Sequence, residues 1–162
     1  MSTAWLGLGS NVNAETHIRA GIKELKEKFD NVSLSPAYAS TAVGFDGDDF
    51  INLVARVETE LHPLELRRYL RDLEDRYGRK RNVPKFSDRS LDVDVLLYDD
   101  MVIYSPVLEI PRAEIMKFAH VLKPLADLGP ELVHPIERRN MAEIWESSGL
   151  DDDYLRLLPS FP

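Results

Sequence analysis

The sequence predicts one α+β domain in which an antiparallel sheet carries helices. Strand-like and helix-like segments follow one another in the order β-α-β-β-α-β. Both helical segments bear an apolar stripe on an otherwise charged surface. The 162 residues suit a single domain spanning 1–162, with no internal repeat, low-complexity tract or linker.

The elements follow in order. Residues 3–8, "TAWLGL", read as a buried strand, and "GSN" (Gly9, Ser10, Asn11) as the turn that ends it. From Ala14 to Phe29, Ile18, Ile22, Leu25 and Phe29 recur at helical spacing. "NVSLSPAYAS" (31–40) alternates Val32, Leu34 and Pro36, which predicts a strand with an edge or bulge at the proline. "AVGFDGDD" (42–49), with two glycines and three acids, is expected to be a mobile loop. "FINLVARVETEL" (50–61) puts Ile51, Leu53, Ala55 and Val57 on one strand face. Pro63 opens a helix striped by Leu66, Tyr69, Leu70, Leu73 and Tyr77, and Gly78 stops it. After a basic loop comes a strand at 91–98, turned at Asp99-Asp100 into a short strand near "MVIY". Prolines 106, 111, 124, 130 and 135 then punctuate short helices, one of them at 140–147. This order is the split βαβ pattern of ferredoxin-like folds, with helices on one face and extra short strands and helices toward the C-terminus.

Composition excludes several classes. A net charge of −8 argues against general nucleic-acid or anionic-membrane binding. No apolar run approaches a membrane span, and "MSTAWLGLGSN" lacks the basic start and long apolar stretch of a secretory leader. The absence of cysteine excludes disulfides and thiolate metal sites and fits a cytoplasmic location. One stretch runs against the acidic balance. "RYGRKRNVPKFSDR" (76–89) holds six of the 20 Lys and Arg residues and one acid, Asp88. It suits an anion site and equally a solvated loop.

Directly after it, "LDVDV" places Asp92 and Asp94 on one strand face, where their charges repel. Two carboxylates without a cysteine or local histidine cluster suit a hard cation such as Mg²⁺, and the preceding arginines suit phosphate. Alone, the tripeptide also fits a solvated edge strand with acids on its wet face. A glycosidase-like acid pair is less natural, because two residues on one strand face do not straddle a sugar. Neither a Walker A loop, nor GxGxxG after the first strand, nor GxSxG is present.

Taken together, "GSN", "FIN" (Phe50, Asn52), "GRKR" (78–81), "DRSLDVDVLLY", "IP" (110–111), "PLADLGPEL" (124–132) and a following "HP" occur in an order and spacing that resemble the 6-hydroxymethyl-7,8-dihydropterin pyrophosphokinases. The resemblance covers nearly the whole chain. It implies transfer of a pyrophosphoryl group from ATP to the hydroxymethyl group of a reduced pterin, releasing AMP. Asp92 and Asp94 would hold two Mg²⁺ ions, with Arg79 and Arg89 closing over the phosphates as catalytic residues. Glu74, Arg81, Lys85, Arg89 and Arg112 would lie on the ATP side. Val43, Phe50, Asn52, Phe86 and His120 would form the pterin pocket, although core packing is the ordinary fate of an aromatic such as Phe50. ATP and the pterin would be the small-molecule partners, with no nucleic acid or membrane; a monomer is expected and an oligomer is left open.

The chain also departs from the family pattern. "YASTAVG" (38–44) keeps Tyr38 and Gly44 but lacks an expected arginine and proline. Lys85 replaces an arginine, Phe86 a tryptophan, Arg112 a histidine, Phe118 an arginine and His120 a phenylalanine. Val107 and Glu109 stand where polar or basic residues are expected on the nucleotide side. A related transferase for another reduced pterin or alcohol, and a weakly catalytic binding protein on the same scaffold, are the alternatives.

Overall fold

The computed structural model describes residues 1–41, 47–78, 88 and 90–162. Candidate residues Val43, Arg79, Arg81, Lys85, Phe86 and Arg89 lie outside the described residues.

Period-two burial builds β1 (Ser2–Ser10): Ala4, Leu6 and Leu8 are buried on one side, Trp5 on the other. In α1 (Ala14–Lys28), Ile18, Ile22 and Leu25 turn inward at helical spacing, and Phe29 leaves the helix in extended backbone. The single strand predicted over 31–40 is two, β2 (Asp30–Leu34) and β3 (Ala37–Ser40). They part at Ser35-Pro36, because proline offers no N–H to the ladder. Ser35 holds the break in place: its N–H donates to Val54 O and its Oγ accepts from Val54 N, both at 2.8 Å.

In β4 (Phe50–Thr59), Ile51, Leu53, Ala55 and Val57 are buried as the alternation predicts. Pro63 opens α2 (Pro63–Arg76), where His62 N–H donates to Glu65 Oε1 at 3.0 Å. Beyond it, Gly78 turns the chain at φ +83°, a conformation that disfavours a Cβ. After β5 (Asp92–Tyr98), the short strands β6 (Ile103–Tyr104) and β7 (Glu109–Ile110) form their own ladder. A last strand, β8 (Leu155–Leu158), returns to pair with β3. The main sheet runs β5-β1-β4-β3-β8, with β2 also on β4, and every pairing is antiparallel.

The expectation of helices on one face needs correction, since both faces are covered. Helices α1 and α2 pack against Leu6, Leu8, Leu53 and Val93. On the other face, Trp5, Val54, Leu96 and Leu97 meet a 3-10 turn (Ala113–Met116), α3 (Ala119–Leu128) and α4 (Met141–Ser148) through Ile115, Leu122, Leu125, Met141 and Ile144. Leu53-Val54-Ala55 and Val95-Leu96-Leu97 are unbroken apolar runs, which a sheet wetted on one face does not require. Pro124 lies inside α3 instead of ending a helix. The helix predicted at 140–147 is α4, capped by Asn140, whose Oδ1 accepts Glu143 N–H at 2.9 Å.

Candidate active site

Chemistry-bearing side chains collect where β5 forms the edge of the sheet. Asp92 and Asp94 alternate with buried Val93 and Val95, so the apolar positions anchor the strand that presents the acids. Glu74 reaches across from α2, and its Oε2 accepts the Val93 N–H at 2.8 Å. That bond satisfies a donor on the outer side of an edge strand. One oxygen from each of Glu74, Asp92 and Asp94 lies within 4.8 Å of the others. Burial first, then the Asp92 charge, pushes the Glu74 carboxyl up to about 8, against the pull of the Val93 bond. Glu74 was expected on the ATP side; it is 3% exposed and sits against the acid pair. The donor set fits Mg²⁺, which takes one or two carboxylates and completes its octahedron with water and phosphate.

A cleft of about 460 Å³ opens along this edge between α2 and the 105–114 segment. Arg67, Arg71 and Glu74 line its helix side, and Val107, Glu109 and Arg112 face them. Arg112 N–H donates to Leu96 O at 3.0 Å, which brings the side chain beside the acids. Its Nε lies 2.5 Å from Glu114 Oε2 and 3.8 Å from Asp94 Oδ2. Burial opposes the guanidinium charge, but Asp94, Glu114 and Asp92 outweigh it and hold the pKa above the ordinary arginine value. Glu109 turns to local structure, its Oε1 accepting Ala113 N–H at 2.9 Å. Arg67 and Arg71 were not singled out from sequence. The available signal was their spacing with Glu74, at i, i+4 and i+7 on one helix face.

The candidate pterin residues Phe50 and Asn52 occupy the same sheet face. Gly9 pairs with Asn52 on β4 and with Asp92 on β5, so Asn52, Gly9 and Asp92 form one row across three strands. At about 4.8 Å per strand, that row spans roughly 10 Å. A Cβ at Gly9 would lie 2.7 Å from Asn52 Nδ2. Gly7, in the next row, pairs with Val54 and Asp94, and a Cβ there would lie 3.4 Å from Leu96 Cδ1, so the two glycines let Asn52 and Leu96 lie close over β1. Half-buried Phe50 precedes Asn52 by two residues and shares its face.

"GSN" is the end of a strand more than a turn, since Gly9 and Ser10 belong to β1. Ser10 and Asn11 are buried. Ser10 Oγ donates to Ser90 O at 2.5 Å, while Asn11 Nδ2 donates to Asp48 O at 3.2 Å and Asp88 Oδ1 at 2.8 Å. These two residues therefore fasten the end of the acidic loop to the end of the basic one.

His120, in the first turn of α3, stacks on Phe118 with ring centroids 5.1 Å apart and planes 23° from parallel. Tyr154 Oη lies 3.2 Å from His120 N and 2.9 Å from its Nδ1. The backbone N–H donates to that oxygen, and the same hydroxyl pairs with the ring at Nδ1. Burial pushes the His120 pKa down to about 4, which keeps the imidazole neutral. Nearby, Tyr38 donates to Asp127, which also accepts from Lys123 at 2.8 Å, tying β3 to α3.

The family model described as 7,8-dihydro-6-hydroxymethylpterin-pyrophosphokinase (HPPK) matches residues 5–130, a stretch that contains the acid cluster, Asn52 and His120. A protein of Aquifex aeolicus named 2-amino-4-hydroxy-6-hydroxymethyldihydropteridine pyrophosphokinase is 36% identical over 145 residues, 88% of this chain and 90% of its own. Its namesake from Haemophilus influenzae is 35% identical over 139 residues, 83% of this chain and 86% of its own. Among solved structures, Plasmodium falciparum HPPK-DHPS superposes with a TM-score of 0.74 over 97% of this chain, at 14% identity. The chain spans 47% of that longer protein, and the likeness concerns the fold alone. By the family match and by relatives about as long as itself, the chain belongs to the 7,8-dihydro-6-hydroxymethylpterin-pyrophosphokinase family.

Proposed function

We propose that this chain catalyses ATP-dependent pyrophosphoryl transfer to the hydroxymethyl group of 6-hydroxymethyl-7,8-dihydropterin, giving the pterin diphosphate and AMP, a step of folate biosynthesis. The observation that carries this reading is the row Asn52, Gly9, Asp92, in which an amide and an acid of the carboxylate cluster stand roughly 10 Å apart on one sheet face. The hydroxyl oxygen attacks the β-phosphorus of ATP, the bond from that phosphorus to the α–β bridging oxygen breaks, AMP leaves and the hydroxyl proton passes to solvent. Asp92 and Asp94 would hold Mg²⁺, which would supply charge neutralisation on the phosphates and acidification of the hydroxyl. Glu74 braces the acid strand through Val93, and Arg112 lends positive charge beside Asp94. Arg79 and Arg89 close over the phosphates, with Arg81 and Lys85 on the nucleotide side.

Asn52 takes the amide edge of the pterin, with Phe50, Val43, Phe86 and His120 around the ring. The neutral imidazole of His120 adds a polar ring nitrogen where a hydrocarbon ring would offer none. This favours, as a second reading, a related reduced pterin that presents a polar group there. The sheet order β5-β1-β4-β3 supports the finer description of the core as ferredoxin-like. We place the enzyme in the cytoplasm as a single-domain monomer.

The test is AMP release from ATP and hydroxymethyl-dihydropterin with and without Mg²⁺. Magnesium-dependent AMP in step with pterin diphosphate is expected. Absence of AMP from folded protein at saturating substrate would reject the reading, and AMP with a different pterin alcohol alone would favour the second.

A further inference from the structure

His120 is gripped by a residue from the far end of the chain. Three exposed aspartates, Asp151, Asp152 and Asp153, lead up to Tyr154. Asp153 N–H donates to Asp151 Oδ1 and Leu155 N–H to Asp152 O, both at 2.9 Å, and this turn sets Tyr154 just before β8. In the sheet, Leu155 pairs with Ser40 and Ser40 with Phe50, so these three form one row across β8, β3 and β4. Leu157, Tyr38 and Asn52 form the row beside it. Tyr154 therefore belongs to the hydrogen-bonded frame that carries Phe50 and Asn52, one residue beyond the Phe50 row.

From there its hydroxyl meets α3 twice, at His120 N and at His120 Nδ1. The first bond serves the helix. Phe118 at the N-cap has no side-chain oxygen, so the N–H groups of the first turn need an acceptor from elsewhere. The second bond does nothing for the helix; it acts on the imidazole. Phe118 stacks on that ring, and the Tyr154 ring meets it edge-on, centroids 6.0 Å apart and planes at 79°. A stack is indifferent to a half-turn of the imidazole about its own bond, whereas a hydroxyl at Nδ1 is not. Burial raises the Tyr154 pKa, Asp151 and Asp152 push the same way, and the hydroxyl stays protonated against the pull of its backbone donors.

We propose that Tyr154 is a positioning residue of the pterin pocket: it locks the His120 ring in one orientation relative to Asn52, and so sets which polar group of a reduced pterin that wall accepts. This rests on the proposed placement of the pterin among Phe50, Asn52 and His120. Tyr154 acts through the ring and not on the substrate. A phenylalanine at position 120 would have no use for the hydroxyl. An imidazole has two unlike edges, and one of them must be chosen.

A double-mutant cycle tests this, by calorimetric titration of 6-hydroxymethyl-7,8-dihydropterin into protein saturated with Mg²⁺ and α,β-methylene ATP. Tyr154→Phe should weaken the pterin by about 3- to 10-fold and leave α,β-methylene ATP within about twofold of wild type. In a His120→Phe background the same change should cost less than about twofold, because the ring partner is gone while the backbone donor at 120 remains. Steady-state kinetics of Tyr154→Phe should show a raised KM for pterin and an unchanged KM for ATP. In ligand-free protein, the ring nitrogen NMR signals of His120 should shift on Tyr154→Phe. Equal losses of pterin affinity in the two backgrounds would reduce Tyr154 to a helix cap and overturn the proposal. So would unchanged pterin affinity, or unchanged His120 ring signals, in folded Tyr154→Phe. Failure of the wild-type protein to bind the pterin would instead reject the pterin reading, and this assignment with it.

Discussion

Replacing Gly9 by alanine probes the floor between the two sites. The added Cβ would stand 2.7 Å from Asn52 Nδ2, and ordinary contact begins at 3.4 Å, so the amide must retreat by about 0.7 Å. The other close atoms are Asn52 Cγ at 3.8 Å and Ile51 O at 4.0 Å, so the Asp92 side of the row is left alone. Because the group that moves is the end of a short side chain, the fold should lose less than about 2 kcal/mol. Pterin binding should suffer more. A displaced amide loses a buried hydrogen bond worth about 1–3 kcal/mol when its partner is left unsatisfied, or roughly 5- to 150-fold in affinity. Steady-state kinetics with each substrate varied in turn should show a raised KM for pterin, an unchanged KM for ATP and kcat within a few-fold of wild type. Unchanged pterin KM in folded Gly9→Ala would refute the placement of the pterin on Asn52. A loss confined to kcat and Mg²⁺ response would place the disturbance on the metal side instead.

Further outcomes follow from the same geometry. Asp92→Asn and Asp94→Asn should each lower turnover by at least about 10³-fold and abolish the Mg²⁺-dependent rise in Tm, with the far-ultraviolet circular dichroism intact. Glu74→Leu leaves the Val93 N–H without its acceptor and should cost about 1–3 kcal/mol in denaturant unfolding, whereas Glu74→Gln keeps an acceptor and should cost clearly less. His120 is held near 4 in the folded protein against 6.5 as the unperturbed value, so the unfolded chain takes up its proton first as pH falls. Its contribution is complete above 6.5 and lost by about pH 4, to the order of 3 kcal/mol. His120→Phe should flatten the stability–pH curve across that window in urea titrations.

The first half of the fold was legible because its signals are local. Leu66, Leu70 and Leu73 recur on a helix, and Ile51, Leu53, Ala55 and Val57 alternate on a strand, whatever they later touch. The second face was hidden, because Trp5, Val54 and Leu96 are buried by helices from far along the chain, and no period in their own strands records that. Asp92 and Asp94 could be read as a pair since strand geometry alone puts them on one face. Glu74 could be singled out only by resemblance, and its role as acceptor for an edge-strand N–H depends on where α2 lies against β5. Arg67 and Arg71 were ordinary surface arginines in the sequence; only the cleft distinguishes them. The Ser35-Pro36 break was half legible, with the proline visible and the bonds that replace the ladder not.

Asn11 gives one amide group two clients, Asp48 and Asp88, which lie 40 residues apart in sequence. Thermodynamic reciprocity follows from such sharing. A ligand that favours one arrangement of Asp48 changes the cost of arranging Asp88, and a ligand acting on Asp88 returns the same factor.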